Sequence, residues 1–330
     1  MNLNSPSFFN VALSTWRAVH SGLVTIDAYK DLPSAIVKLS IKAVEGARSA
    51  DTLGVEREGT GVVIDASGLI LTVGYLIIEA RSILALTHDG RVYPATVLGF
   101  DHATGFGLLR ASPELAHHPL QMAQAHEAKA LDPVRIATHV DAGGLTLGCI
   151  ASKRRFTGWW EYMIEEAIFT SPPRSEHSGA ALLDERGRLL GIGSLWVSDA
   201  LAKGVAFPGN MFIPVDLLTP ILDDLIEFGR RRGPARPWLG IYTEDIDKHV
   251  VVTRTLPNGP AARSGIKRGD IVLGVAGHAI GSQIEFYQRL WASGQAGDDV
   301  TLHVLHEKKV SHFVVYSEDR TDYYRPTLKD

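Results

Sequence analysis

Ser178 lies in Glu176-His177-Ser178-Gly179-Ala180, a serine on a tight turn followed by two small residues and then by the hairpin pattern ALLDERGRLLGIGSLWV. A serine so placed suits nucleophilic acyl transfer, but its hydroxyl stays protonated near neutral pH and needs a base within hydrogen-bond reach. His177 adjoins it, yet neighbouring side chains on a sharp turn point apart, so His177 reads as a solvated turn residue. His88, His102, His117, His118, His126 and His139 are scattered over loops and strands. No HExxH or CxxC spacing points to a metal, and no cofactor is expected. The single cysteine, Cys149, sits in the apolar run GLTLGCIAS, where packing accounts for it better than reactivity.

The elements that must position Ser178 read as short strands. From Ala35 to about Trp196, β-type runs such as SAIVKLSIKAVEG, TGVVIDASGLILTV and PVRIATHV recur between turn signals. Asp65-Ala66-Ser67-Gly68, His88-Asp89-Gly90 and Asp184-Glu185-Arg186-Gly187 are hairpin turns by composition. About a dozen strands without alternating helices predict closed antiparallel β-architecture. Val215 to Arg232 carries apolar residues at helical spacing, with Pro220 marking a first turn or kink and Gly233-Pro234 a stop. GPARP, residues 233–237, is a stiff linker. After it come further strands, a short helix at PAARSG and a helix from about Ser282 to Ala292.

At 330 residues, two domains are expected. Hydrophobic residues make up 45% and charged residues 21%, as in a soluble globular protein. Acidic residues outnumber basic ones, 37 to 33, and the short run Arg230-Arg231-Arg232 sits at a helix end, so nucleic acid is not an expected partner. No apolar run is long enough for a membrane span. The start lacks a secretory pattern, so the sequence reads as cytoplasmic, or periplasmic if a leader has been removed. Within residues 1–31, Phe8, Phe9, Val11, Leu13 and Trp16 suggest an amphipathic segment for docking or oligomerisation.

Two sets of residues carry a family resemblance. Trp238-Leu239-Gly240-Ile241 resembles the carboxylate-binding loop of PDZ domains in the HtrA/Deg proteases, and GPAARSGIKRGDIVLGVAGHAI resembles the segment that follows it. DLPSAIVKLSI, GTGVVIDASGLILT, GFDHATGFGLL, EHSGAALLDERGRLLGI and GVAFPGNM resemble, in order, segments of the trypsin-like double barrel of the same family. The resemblance implies a mainly β protein: a segment over 1–31, a trypsin-like double β-barrel with a C-terminal helix over 32–232, a linker at 233–237, a PDZ domain over 238–319 and a tail over 320–330.

Carried over residue by residue, the resemblance makes Ser178 the nucleophile position and puts Tyr75 at the histidine position. It puts Gly105 at the aspartate position and Glu176 at the glycine that supplies an oxyanion-hole N–H. Tyrosine, with a reference pKa near 10, cannot shuttle a proton as imidazole does at neutral pH. Glycine cannot orient an imidazolium, and a carboxylate opposes a developing oxyanion. Asp101 and His102 fall in the loop before the strand. The expectation is a pseudoprotease, a non-enzymatic scaffold or regulator that binds a polypeptide or protein C-terminus through Trp238, Leu239, Gly240 and Ile241. Two alternatives stand beside it. One is an active serine endopeptidase using Ser178 with a non-standard base; the other is a structural subunit in an oligomer, by family habit a trimer, with an active relative.

Overall fold

The computed structural model describes residues 32–115, 118–139 and 145–324, and the chain divides into two compact units. The N-terminal segment with Phe8 to Trp16 lies outside the described residues.

The first unit holds two closed antiparallel barrels. One is built from β1 (Ile36–Ala43), β2 (Glu56–Val63), β3 (Leu69–Val73), β4 (Ala80–Leu86), β5 (Val92–Phe100) and β6 (Phe106–Arg110). The other uses β7 (Pro133–Ala137), β8 (Leu145–Gly158), β9 (Tyr162–Ser171), β10 (Ala181–Leu183), β11 (Leu189–Val197) and β12 (Gly209–Pro214). Closure removes open strand edges, and inward side chains fill the interiors. Ile70, Leu71, Phe106 and Leu108 are fully buried from the first barrel, as are Phe169, Ile192 and Phe212 from the second. Between β3 and β4, a single helical turn, α1 (Gly74–Ile77), carries Tyr75.

The helix expected over 215–232 is shorter and broken. Two 3-10 turns, Val215–Leu217 and Thr219–Ile221, precede α2 (Leu222–Phe228). Pro220 sits at the start of the second turn, where its missing N–H costs nothing, and Gly229 ends the helix in a left-handed cap.

The second unit is one sheet in the order β13 (Ile241–Ile246), β14 (His249–Thr255), β15 (Ile271–Val275), β17 (Asp299–His306), β18 (Lys309–Tyr316), with β16 (His278–Ala279) pairing β15. Helix α3 (Gln283–Ala292), capped by the Ser282 hydroxyl on the Glu285 N–H, buries Phe286, Tyr287 and Leu290 against the sheet. Arg320–Tyr323, at the start of the expected tail, is a helical turn whose buried Tyr323 ring packs 5.1 Å from that of Trp238. This unit also contains Arg155–Glu165, the outer end of the β8–β9 hairpin. The sequence pattern suggested no strands there.

Backbone hydrogen bonds tie the Ser178 turn to its surroundings. Thr60 N–H donates to the Ser178 carbonyl (2.9 Å), Gly179 N–H to the Gly193 carbonyl (2.8 Å) and Ala180 N–H to the His177 carbonyl (3.1 Å). Gly179 has φ +77°, and a Cβ there would stand 2.0 Å from the Thr60 carbonyl oxygen. Both the left-handed backbone and the contact exclude a side chain. Gly179→Ala is therefore expected to cost at least about 2 kcal/mol of stability, read as a lowered urea midpoint with unchanged slope.

Candidate functional site

Tyr75 and Ser178 meet. The phenol lies 2.7 Å from Ser178 Oγ and 2.8 Å from the Ser194 carbonyl oxygen. Ser194 falls at a register shift of β11 between Gly193 and Leu195, a bulge that leaves its carbonyl for a partner outside the ladder. The phenol has one proton for two oxygens, and the carbonyl can only accept. With that proton on Ser194, the serine hydroxyl donates to the phenol oxygen; with it on Ser178, a serine lone pair is occupied. Neither arrangement supplies a base, because burial pushes the Tyr75 hydroxyl up to about 12, against the smaller lowering effect of Ser178. Among the described residues, Tyr75 is the side chain hydrogen-bonded to Ser178.

A buried arginine that the sequence did not single out positions Tyr75. The Arg57 guanidinium donates to the carbonyls of Tyr75 (3.1 Å) and Ile78 (2.7 Å), the open C-terminal carbonyls of α1, and to Ser49 Oγ (2.7 Å). The other end of the turn is tied by Gly74 N–H to the Gly105 carbonyl (2.7 Å). Gly105, at φ +85°, supplies backbone conformation and an acceptor where the resemblance places an orienting carboxylate. Asp101 closes its own turn: its carboxylate accepts from Thr104 N–H (2.9 Å) and hydroxyl (2.8 Å) and pairs with Arg231 (3.1 Å).

Glu176 and His177 are half-buried beside the serine. The Ser175 hydroxyl, Glu176's own backbone N–H and Arg174 hold the Glu176 carboxyl below its usual range. Burial lowers the His177 imidazole, and its Nδ1 faces the Arg174 carbonyl at 3.2 Å.

The second unit presents a different chemistry. The backbone N–H groups of Leu239 and Ile241 converge on one carboxylate, that of Glu161, at 3.0 and 2.9 Å, with Gly240 N–H also facing it. Trp238 stands apart from this cradle: its backbone pairs with Glu318 and its buried ring rests on Tyr323. Glu161 is 6% exposed and has φ +54°. Burial pushes its carboxyl up to about 7, opposed by the N–H groups of Ile241, Leu239 and Gly240 and by Arg320. The sequence signal for this residue was the turn GWWEY, whose two tryptophans are out of keeping with a solvated hairpin tip.

Comparison with known proteins bears on both units. A trypsin-like peptidase domain model matches residues 59–192, and a PDZ domain model matches residues 237–316. Serine endoprotease DegS of Haemophilus influenzae is 28% identical over 232 residues, 68% of this chain and 66% of that protein. The periplasmic pH-dependent serine endoprotease DegQ of Escherichia coli is 28% identical over 267 residues, 76% of this chain and 57% of that protein. The chain thus spans less than two thirds of the length of either relative. Among solved structures, the HtrA-type protease AlgW with a decapeptide aligns with a TM-score of 0.55 at 20% identity, covering 91% of this chain and 98% of that one, a likeness of fold. Two barrels around a serine turn, followed by a sheet with a carboxylate cradle, define a trypsin-like peptidase domain joined to a PDZ domain. In its two domains and in its curated relatives the chain is similar to the serine endoproteases DegS and DegQ, and in fold to the HtrA-type proteases. Among the described residues, no helix is long and apolar enough to cross a membrane.

Two measurements check this geometry. Tyr75→Phe removes the hydroxyl shared by Ser178 and Ser194 and is expected to lower stability by about 1–3 kcal/mol in urea denaturation. The Glu161 carboxyl is raised from 4.5 to about 7, so the docked form holds its proton more tightly than a released one. Docking is then most favoured below about 4.5 and weakens as pH rises through 7. Arg320, Tyr287 and Tyr242 are the ionisable groups coupled to it; burial raises both tyrosine hydroxyls, which stay neutral over this range. Carboxyl-detected NMR should show a step with a midpoint near 7 that Glu161→Gln removes.

Proposed function

We propose that this chain is a proteolytically inactive member of the HtrA family that acts by binding polypeptides through its PDZ domain. The observation that carries this reading is the Tyr75 hydroxyl at 2.7 Å from Ser178 Oγ, a protonated phenol where the reaction needs a proton acceptor. Gly105 and Glu176 support it, since a glycine cannot orient an imidazole and a carboxylate opposes a developing oxyanion. Loss of the base alone lowers turnover by about a million-fold in serine proteases, because triad members act as a unit. The relatives are named as serine endoproteases, and a trypsin-like domain is common to them and to this chain; the side chains at the serine are what favours the inactive reading.

The binding half of the reading rests on the PDZ fold and the N–H groups of Leu239, Gly240 and Ile241, which suit a C-terminal carboxylate. The AlgW structure, determined with a decapeptide, belongs to the same fold. The name of the periplasmic DegQ relative favours an exported setting over the cytoplasmic one. A fluorophosphonate probe followed by intact-mass detection tests inactivity: the expected result is no adduct and no casein cleavage. Stoichiometric labelling that Ser178→Ala abolishes would establish the active-hydrolase alternative instead.

A further inference from the structure

The PDZ cradle is filled by the chain itself. Residues Gly158 to Glu161 form the turn between β8 and β9, and every backbone carbonyl from 158 to 160 has a donor within the second unit. The Tyr287 hydroxyl donates to the Gly158 carbonyl (2.7 Å), Thr243 N–H to that of Trp159 (3.0 Å) and Arg320 to that of Trp160 (3.2 Å). Glu161 N–H donates in return to the Tyr287 hydroxyl oxygen (3.1 Å). Thr243 belongs to β13, the outermost strand of the sheet, and Tyr287 to α3. The turn therefore bonds to an edge strand and a helix while its carboxylate enters the loop before that strand, which is how a C-terminal peptide occupies such a groove.

A structural turn has no need of this arrangement. Burying a carboxylate is costly unless fixed donors receive it, and an apolar residue would dock the same tip without that cost. Glu161 also holds a left-handed φ of +54°, uncommon for a residue with a long side chain and sustained here by its neighbours. We propose that Gly158–Glu161 is a tethered ligand of the PDZ domain, its Glu161 carboxylate standing in for a peptide C-terminus and closing the cradle to external C-termini until they displace it. This rests on the reading of the second unit as a peptide-binding domain. The external partner is a polypeptide with a free terminal carboxyl group; a C-terminal amide replaces one of the two oxygens that Leu239 N–H reaches with an NH2 donor.

The test uses the full chain, immobilised, with a decapeptide mixture randomised at every position and bearing free C-terminal carboxylates, alongside the same mixture amidated. Retained peptide is quantified by mass spectrometry for the unaltered protein, Glu161→Ala and the more conservative Glu161→Gln, with amide hydrogen exchange at Leu239 and Ile241 read in each. The expected result is at least tenfold more carboxylate peptide retained by Glu161→Ala, a smaller gain for Glu161→Gln, no gain for amides, and faster exchange at both amides. Equal retention of carboxylate peptides by all three proteins overturns the tethered ligand and leaves the peptide-binding reading intact. No retention by any of them, with both amides exchanging faster in the variants, removes the peptide-binding reading and the competition with it. Unchanged exchange at Leu239 and Ile241 in both variants overturns the assignment of Glu161 to the cradle.

Discussion

The contact on which the first unit turns is the approach of Gly179 to the Thr60 carbonyl, with Thr60 N–H bonded to the Ser178 carbonyl beside it. It joins β2 of one barrel to the serine turn that precedes β10 of the other, and it uses only backbone and the missing side chain of a glycine. Nothing in it depends on the chemistry of Ser178, Tyr75 or Gly105. The junction therefore holds whatever side chains stand at those positions. The serine persists beside a glycine the packing requires.

Around the serine the side chains are joined by hydrogen bonds. Tyr75 joins the serine to the bulged Ser194 carbonyl, and Arg57 gathers the carbonyls at the end of α1. Glu176 follows the same pattern, its carboxylate held by the Ser175 hydroxyl and Arg174.

The barrels were legible in the sequence because alternating apolar residues and turn glycines are local signals, as in β1 and in the Asp65–Gly68 turn. The PDZ unit was legible because Trp238 to Ile241 and the segment after Gly259 are close in sequence and constrained in backbone. The helix over 215–232 was overextended, since apolar spacing ran through Pro220 and past Gly229 without showing that the backbone breaks there. Glu161 was missed for a different reason. Its partners, Leu239 and Ile241, lie some 80 residues away, and neither spacing nor composition reveals that a turn glutamate will be buried among N–H groups. Arg57 was missed likewise, because the carbonyls it caps belong to a turn some 20 residues on.

A ligand carried on the same chain answers to different arithmetic from one in solution. Its local concentration is fixed by the hairpin that bears it, on the order of millimolar for short connections, and it does not fall when the protein is diluted. A free C-terminus of micromolar intrinsic affinity then competes against a constant opponent, and its apparent affinity is weakened by the fraction of time the turn is docked. The partner concentration needed for half-occupancy would be raised by that factor, whatever the abundance of the protein itself. The GWWEY turn would thus set how much exposed C-terminus must accumulate before this chain responds to it.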